Sequence, residues 1–257
     1  MESNLFDLSG RTALVTGGGR GIGFAIAKGL AQQGAAVAIL ARTAHQLEKA
    51  AGRIGQANSG RVWTFQADLE KTEAVGPLFE TVVSETGGID ILVNCAGTTI
   101  RGPAEDFSLE DWEKVHRVNL TSAFEMSKAF CRHRRQAGAG GSIINIGSLT
   151  CHGARPTTAA YASSKGGMLM LTKTLAVEWA KYNINVNAIG PGYIATELTS
   201  PLQADKSFTD WVLAKTPLGR WGRPDDLVGT ALLLASKAGE FITGQIIYVD
   251  GGWLALL

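Results

Sequence analysis

The chain has 257 residues, of which 45% are hydrophobic and 18% charged, and its formal net charge at pH 7 is +1. This length allows a sizeable hydrophobic core, and α/β proteins of this size commonly form one domain. The near-neutral charge argues against an extended nucleic-acid-binding surface. The longest apolar stretches, such as residues 230–235, are far shorter than the roughly 20 residues that cross a bilayer. We therefore expect one domain over residues 1–257 that binds neither nucleic acid nor membrane.

Cysteine usage indicates a reducing compartment. Cys95, Cys131 and Cys151 are odd in number and show no C-x-x-C spacing, and no apolar leader segment precedes the first predicted strand. We expect reduced thiols in a cytoplasmic protein. No cluster of histidine, cysteine and carboxylate side chains has the spacing of metal ligands, so no metal is predicted.

The first predicted elements are a strand, a glycine-rich turn and a helix. Residues 13–16 form an apolar run typical of a buried parallel strand, and residues 22–30 carry apolar residues at helical spacing. Between them, Gly17, Gly21 and Gly23 follow the pattern G-x-x-x-G-x-G, which differs from the more usual G-x-G-x-x-G. Glycines in this position allow a tight turn, and the helix N-terminus offers free N–H groups to a pyrophosphate. The pattern therefore predicts a dinucleotide-binding turn.

The end of the second predicted strand, residues 36–40, indicates which dinucleotide is bound. No acidic residue stands there, and Arg42 lies about 20 residues past the glycine turn. A carboxylate would accept hydrogen bonds from a free ribose 2′-hydroxyl, whereas an arginine pairs with a 2′-phosphate. Arg20, inside the turn, supplies a second cation. Either arginine alone is equally well explained as a solvated surface charge, but the two together favour NADP.

Further strand-like runs alternate with helical patterns along the rest of the chain. Strands separated by helices predict βαβ units and a parallel sheet with right-handed crossovers. The glycine-rich residues 137–141 are interpreted as a turn between a helix and a strand rather than as a linker between domains. The remaining predicted strands are residues 62–67, 89–94, 142–147, 185–189 and 245–249.

Tyr161 and Lys165 are four positions apart in residues 161–175, where apolar spacing and the absence of proline predict a helix. Positions i and i+4 share a helix face, so the ammonium should lie beside the phenol. A free tyrosine has a pKa of about 10, and a neighbouring positive charge lowers it toward the range that a general acid or base needs near neutrality. The pair is therefore predicted to transfer a proton.

Together these features resemble the short-chain dehydrogenase/reductase family. The resemblance runs from about residue 8 to the C-terminus and departs from the family pattern at Cys95, where the family has a second asparagine. The motifs that carry it are Thr16–Gly23, Asn94–Gly97, Asn119 in Val-Asn-Leu, Ser148 in Ile-Gly-Ser, Tyr161 with Lys165, and Gly190–Thr196.

The resemblance implies a Rossmann-type α/β fold, a doubly wound parallel sheet of about seven strands with helices on both faces. It also implies interconversion of a carbonyl and a secondary alcohol by hydride transfer with NADP. Tyr161 would exchange the proton and Ser148 would hold the substrate oxygen. Lys165 would bind the nicotinamide ribose and, with the oxidised ring, lower the tyrosine pKa. Asn119 would hold a water molecule between Lys165 and solvent, although on its own it would be interpreted as a polar residue satisfied within a helix.

The same resemblance implies the contacts to the cofactor. Asp68, at the end of the third strand, would meet the adenine ring, although an isolated aspartate there is as often a helix cap. The residues expected to contact NADP are Gly17, Arg20, Gly21, Ile22, Gly23, Arg42, Asp68, Leu69, Asn94, Ala96, Gly97, Tyr161, Lys165, Pro191, Gly192, Ile194 and Thr196.

Within the family, Arg101, the helix around residues 208–211 and the ending Asp250–Trp253 resemble most the gluconate 5-dehydrogenase branch. This implies a small polar carbonyl or alcohol, such as the sugar acid 5-keto-gluconate. Arg101 could pair with a carboxylate, although a solvated loop position explains it nearly as well. The other candidate substrate contacts are Ser148, His152 and Arg155.

Three alternative functions remain open. A 3-oxoacyl-carrier-protein reductase and a broad carbonyl reductase share the same chemistry. A catalytically idle NADP-binding regulatory protein belongs to another class, and the complete catalytic set argues against it.

Two further features bear on the lid and on assembly. Residues 196–222 combine prolines with aromatic residues; by resemblance they form a mobile lid over the substrate, and a helical pair that packs its aromatics on the core is an equal alternative. The helical patterns at about residues 108–136 and 161–181 resemble the family's dimer-forming helices, so we expect a homotetramer. The basic run Arg132–Arg135 is interpreted as a solvated helix end.

Overall fold

Seven parallel strands form one sheet in the structure, a computed structural model that describes residues 4–56 and 60–256. The first strand lies inside the sheet; the second and third are added on one side and the other four on the opposite side, in the order β3-β2-β1-β4-β5-β6-β7. The doubly wound sheet implied by the resemblance is thereby confirmed. The strands are β1 (Thr12–Thr16), β2 (Ala36–Ala41), β3 (Val62–Gln66), β4 (Ile91–Asn94), β5 (Gly141–Ile146), β6 (Ile184–Pro191) and β7 (Ile246–Val249).

Helices cover both faces of this sheet. The first follows the glycine turn directly, and the sixth carries Tyr161 and Lys165, as the sequence predicts. The helices are α1 (Gly21–Gln32), α2 (Ala44–Gly55), α3 (Val75–Thr86), α4 (Leu109–His116), α5 (Ser122–Gln136), α6 (Ala159–Trp179), α7 (Ser200–Ala204), α8 (Lys206–Lys215) and α9 (Val228–Ala235).

Two apolar layers lie on either side of the sheet, because successive side chains of a strand point to opposite faces. Ala13 and Val15 of β1 belong to the layer that contains the inner sides of α1, α2 and α9. Leu14, between them, belongs to the layer formed with α3, α5 and α6, which includes the fully buried rings of Phe79 and Phe130. Alternation along a single buried strand thus holds helices on both faces.

The predicted helical stretch at residues 108–136 contains one wide turn. α4 begins after Ser108, whose hydroxyl accepts a hydrogen bond from the N–H of Asp111 at 3.1 Å. Residues 117–121 then form a π-helical turn that leads directly into α5. Such turns within helices are common at functional sites, and this one contains the buried Asn119.

The basic run Arg132–Arg135 at the end of α5 is not simply a solvated helix end. Arg134 forms an ion pair with Asp90 at 2.8 Å and donates a hydrogen bond to the carbonyl of Ile89 at 3.2 Å. The Nε2 atom of His133 accepts a hydrogen bond from the N–H of Ile89 at 3.2 Å, and burial lowers the pKa of this imidazole. The prediction was wrong for these two side chains because the segment before β4 packs against them.

Residues 196–222 leave the sheet after β6 as a helical pair. Asp205 separates α7 from α8 and caps α8, where its carboxylate accepts a hydrogen bond from the N–H of Phe208 at 3.1 Å. The ends of the segment meet again, since the N–H of Ala195 donates to the carbonyl of Gly222 at 2.8 Å. The segment is thus helical, and its role as a lid over the substrate stays a prediction.

Within the described ranges, no helix is long and apolar enough to cross a membrane.

Candidate active site

A cleft of about 320 Å³ opens at the carboxyl ends of β1, β4, β5 and β6. It lies where the strand order reverses, between β1 and β4, which is where doubly wound folds bind their ligands. The residues predicted to contact the cofactor all line this cleft except Asn94. Ser148, Tyr161 and Lys165 line it as well.

The glycine turn forms one wall of the cleft. Gly17 has a φ of +68°, a left-handed conformation that side chains rarely adopt, and a Cβ on Gly23 would collide with the carbonyl oxygen of Gly17. Among the residues that the structure describes, no side chain caps the N-terminus of α1. The first N–H groups of this helix are therefore left for an anion, and Gly21 and Ile22, which carry them, line the cleft.

Thr16 and Asn94 secure the floor of the cleft. The hydroxyl of Thr16 accepts hydrogen bonds from the backbone N–H of Cys95 at 3.0 Å and of Ala96 at 3.1 Å. Asn94 is 5% exposed, and its amide nitrogen donates to Ser127 and to Asn145 rather than pointing into the cleft. The side-chain amide of Asn94 therefore joins β4, β5 and α5, and the expected contact of this residue with the cofactor stays a prediction.

Both predicted arginines line the far end of the cleft. A Cβ on Gly19 would lie 3.3 Å from the Cβ of Ala41, so the turn beside Arg20 packs against the end of β2 beside Arg42. Within the described parts of the chain, the Arg42 side chain makes no ion pair or hydrogen bond. Arg20 forms an ion pair with Glu197, which begins the 196–222 segment and lines the same cleft.

Glu197 was missed by the sequence analysis. An acidic residue directly after the Gly190–Thr196 motif was the only local signal for it. The pairing itself brings together residues far apart in the chain, which no spacing rule indicates.

Tyr161, Lys165 and Ser148 meet at the middle of the cleft. The Lys165 Nζ atom lies 5.8 Å from the centre of the Tyr161 ring, as the i, i+4 spacing predicts, and donates to the carbonyl of Ile146 at 2.6 Å. Ser148 follows β5 with an extended backbone, and its hydroxyl accepts a hydrogen bond from the N–H of Thr150 at 3.1 Å. The end of β5 and one face of α6 thus supply the three groups.

Burial dominates the ionisation of this centre. It raises the pKa of Tyr161 above its ordinary value of 10.0, and the hydrogen bond with Ser148 and the charge of Arg101 oppose this shift. Burial also lowers the pKa of Lys165. The expected lowering of the Tyr161 pKa by Lys165 is therefore wrong for the protein without cofactor. Desolvation of the phenolate is the largest effect on the Tyr161 pKa, and the Lys165 ammonium is directed to the Ile146 carbonyl.

Asn119 is fully hydrogen-bonded beside this centre. Its side-chain oxygen accepts from the N–H of Thr98 at 2.7 Å, and its amide nitrogen donates to the carbonyl of Thr98 and to the hydroxyl of Ser164, both at 3.0 Å. The side chain therefore joins the loop after β4 to α6. This agrees with the alternative of a polar residue satisfied within a helix, and its role toward a water molecule stays a prediction.

The three other candidate substrate residues lie in different surroundings. Arg101 is exposed after β4, close enough that its charge lowers the pKa of both Tyr161 and Tyr193. His152 is exposed, and its ring packs edge-on against Tyr248 with ring centres 6.5 Å apart. Arg155 donates a hydrogen bond to the hydroxyl of Tyr193 at 2.8 Å. Arg101 is thus the candidate whose charge reaches the catalytic phenol.

An aromatic cluster stands beside the cleft and was missed as a unit by the sequence analysis. Its centre is Tyr193, whose ring lies 4.8 to 5.8 Å from each of the other four rings. The aromatic content of residues 196–222 was visible in the sequence, but the sequence did not show that these rings meet around Tyr193. The aromatic cluster consists of Tyr193, Phe208, Trp211, Trp221 and Trp253.

Comparison with known proteins places these features in a family. A family model described as Enoyl-(Acyl carrier protein) reductase matches residues 17–254. The gluconate 5-dehydrogenase of Gluconobacter oxydans (strain 621H) is 42% identical over 249 residues, covering 97% of this chain and 96% of that protein. The chain belongs to the short-chain dehydrogenase/reductase family. The resemblance stated from the motifs is thereby confirmed, and with it an oxidoreductase that acts on CH–OH groups.

Two further relatives show how close the likeness is. The 2-dehydro-3-deoxy-D-gluconate 5-dehydrogenase of Escherichia coli (strain K12) is 42% identical over 260 residues, which is 99% of this chain and 100% of that protein. A solved structure of a gluconate 5-dehydrogenase from Burkholderia cenocepacia J2315, in complex with NADP and tartrate, has a TM-score of 0.94 at 41% identity. It covers 99% of each chain.

Proposed function

We propose that this chain is an NADP(H)-dependent oxidoreductase that interconverts a sugar acid and its keto form, with gluconate and 5-keto-gluconate as the first candidates. The observation that carries this proposal is that one cleft contains the glycine turn, Arg42 and the group of Ser148, Tyr161 and Lys165. The names of the relatives support the substrate class. The NADP found with similar structures supports the cofactor.

The residues of the cleft fit NADP. The uncapped N-terminus of α1 suits the pyrophosphate, and Arg42 stands where the 2′-phosphate needs a cation. No carboxylate at the end of β2 opposes that phosphate. Lys165 has three N–H donors and uses one on Ile146, so two remain for the nicotinamide ribose.

The catalytic side chains divide the work on the substrate oxygen. NADP, when bound, supplies or accepts the hydride. In the reducing direction, Tyr161 donates its O–H proton to the carbonyl oxygen, and the Ser148 hydroxyl holds that oxygen by a hydrogen bond. In the oxidising direction the proton returns to the phenolate. The raised pKa of Tyr161 keeps it protonated at neutral pH before the cofactor binds, which suits reduction.

Arg101 is proposed to bind the carboxylate of the sugar acid. Its guanidinium makes no ion pair or hydrogen bond within the described residues, and its charge acts on Tyr161. A guanidinium can hold a carboxylate through two parallel hydrogen bonds, which would orient the substrate relative to the phenol. His152, which packs on Tyr248, is a less direct candidate.

The test is NADPH oxidation with a panel of carbonyl compounds. The panel contains 5-keto-gluconate, an acetoacetyl thioester and an aryl ketone, and the reverse reaction is measured with NADP, gluconate and 2-dehydro-3-deoxy-D-gluconate. We expect turnover of a sugar acid and a raised KM for it in Arg101→Ala, with Arg132→Ala as the matched control. Turnover of only the thioester would favour the carrier-protein reductase, and turnover of only apolar ketones a broad carbonyl reductase.

We further propose a cytoplasmic homotetramer. The three cysteines are free, which fits a reducing compartment. The helices expected to form subunit contacts expose large apolar side chains, with Met170 58% and Val177 81% exposed on α6 and Phe124 37% exposed on α5. Light scattering of the purified protein should give the mass of four 27.1 kDa chains. A monomer mass at micromolar concentration would refute the assembly.

A further inference from the structure

We propose that the hydroxyl of Tyr193 donates a hydrogen bond to the sugar-acid substrate, and that Arg155 is a positioning residue that holds this hydroxyl in place. The inference rests on the proposed function and deepens it, because it names a substrate contact that follows β6, far in the chain from the glycine turn.

Tyr193 stands close to the reacting groups. It directly follows Pro191 and Gly192, which line the cleft at the carboxyl end of β6. Its phenol interacts electrostatically with both Tyr161 and Arg101. Tyr193 is therefore near enough for the charges of the catalytic phenol and of the cation proposed to bind the carboxylate to act on its hydroxyl, and a substrate held by both would come close to it.

The direction of one hydrogen bond leaves a donor free. The Nη1 atom of Arg155 lies 2.8 Å from the hydroxyl oxygen of Tyr193. A guanidinium can only donate, so the tyrosine oxygen must accept, and its own O–H is available for another acceptor. No such acceptor contacts it among the described residues. The hydroxyl and carboxylate oxygens of a sugar acid are acceptors of the required kind.

Arg155 is held in place by the aromatic cluster. Its guanidinium carbon lies 4.5 Å from the ring centre of Trp211 and 4.7 Å from that of Phe208. Stacking on the two rings and donation to Tyr193 fix the position of the group. The role assigned to Arg155 is to fix where the Tyr193 oxygen lies; the direct substrate contact expected from the sequence stays a prediction.

The proton of Tyr193 stays in place at neutral pH. Burial raises its pKa, and the charge and hydrogen bond of Arg155 only oppose that shift. Tyr161 and Ser148 already serve the reacting oxygen, so Tyr193 would serve another oxygen of the substrate. A rigid donor of this kind lowers the entropy cost of binding, because the aromatic cluster has already ordered it.

Tyr193→Phe tests the assignment, because it removes only the hydroxyl and keeps the ring in the aromatic cluster. We expect the KM for 5-keto-gluconate to rise roughly 3- to 10-fold, the loss of one hydrogen bond, with kcat changed less than about threefold. Tyr182→Phe is the matched control, since Tyr182 also has an arginine, Arg135, 4.5 Å from its ring centre but packs against the apolar layer that contains Phe79 and Phe130. It should leave KM unchanged.

Arg155 variants test the positioning role. Arg155→Met should raise the KM by a similar factor, and Arg155→Lys, which keeps a cationic donor, should restore part of it. In the Tyr193→Phe background, Arg155→Met should add less than about twofold, because both changes act through one hydroxyl. Thermal unfolding of each variant reports damage to the aromatic cluster separately from the KM.

The outcomes separate this inference from the proposed function. An active wild-type protein whose KM stays within twofold in a folded Tyr193→Phe variant overturns the Tyr193 contact and leaves the proposed function standing. Full additivity of the two changes overturns the positioning role of Arg155. If Tyr193→Phe does not fold, unchanged KM in Arg155→Lys and in Arg155→Met overturns the inference. A wild-type protein that turns over no sugar acid overturns both proposals.

Discussion

Replacing Glu197 with glutamine should tighten NADPH binding, because Glu197 and the 2′-phosphate of the cofactor compete for Arg20. The Arg20 and Glu197 side chains are 49% and 65% exposed, so their ion pair belongs to the weak, solvated kind worth about 0.2–1 kcal/mol. Binding of NADPH to Arg20 must overcome this energy. Since about 1.4 kcal/mol is a tenfold change in affinity, the Kd for NADPH should fall by about 1.5- to 5-fold in Glu197→Gln.

The assay is a titration of NADPH and NADH followed by the fluorescence of the reduced nicotinamide. NADH lacks the 2′-phosphate, so its Kd should change by less than about 1.5-fold. Raising the salt concentration to about 0.5 M should diminish the effect on NADPH, because exposed charges are screened. Asp210→Asn is the matched control, since it breaks a similarly exposed pair with Lys206 in α8, away from Arg20.

A double variant makes the reasoning refutable. In an Arg20→Ala background, Glu197→Gln should leave the Kd for NADPH unchanged, because the shared partner is gone. Equal tightening of NADPH and NADH would show that Glu197 acts through the 196–222 segment rather than through the 2′-phosphate. No change in either Kd would show that Arg20 does not reach the phosphate.

Three further predictions concern the cofactor and the catalytic pair. Arg42→Asp should flatten or reverse the preference for NADPH over NADH in kcat/KM. The change replaces a charge-assisted hydrogen bond worth about 1.5–3 kcal/mol with repulsion of the 2′-phosphate. An unaltered ratio of kcat/KM for NADPH to kcat/KM for NADH would contradict this prediction. Tyr161→Phe should lower kcat by roughly 10²–10⁴-fold while the protein still folds and binds NADPH, and a kcat within a few-fold of wild type would refute the assignment. Burial raises the folded pKa of Tyr161 above 10.0, so as the pH rises this phenol ionises in the unfolded chain before it does in the folded protein. A pH above 10.0 should therefore lower the free energy of unfolding of the wild type more than that of Tyr161→Phe. Lys165→Met should abolish activity yet gain stability relative to the wild type at neutral pH, because the lowered folded pKa means that the buried ammonium is unfavourable there. That gain should disappear as the pH rises from the lowered folded pKa toward 10.5, and urea unfolding at several pH values measures it.

Local patterns predicted the strands and helices that build the cleft. The predicted run 89–94 contains β4 (Ile91–Asn94), and the predicted helix 161–175 lies within α6 (Ala159–Trp179). β6 is longer than the predicted run 185–189, because its pairing with β5 begins at Ile184 and its pairing with β7 continues to Pro191. The ends of a strand depend on its neighbours in the sheet, which the segment's own residues do not encode.

The partners of the buried polar side chains came only from tertiary packing. Asn94 bonds to Ser127 and Asn145, and Asn119 bonds to Thr98 and Ser164. These partners lie 21 to 51 positions away in the chain. The sequence analysis assigned both asparagines to the cofactor or to a water molecule because the motifs that contain them lie at the cleft. For Asn119 it also left open a polar residue satisfied within a helix, but neither motif identifies the partners that neighbouring elements supply.

By itself, then, the sequence determined the family, the order of elements, and the meeting of the glycine turn with Tyr161, Lys165 and Ser148 at one edge of the sheet. Apolar periodicity and the rules for parallel strands are local, and they carry that information along the chain. Tertiary structure decided the pKa shifts and the side-chain partners, because both depend on several elements packed together. Burial set the direction of the Tyr161 pKa against the effect expected from Lys165, and segments distant in sequence brought Glu197 to Arg20 and Arg155 to Tyr193. Desolvation and hydrogen-bond partners exist only after the chain has packed, so no pattern within one segment can predict them.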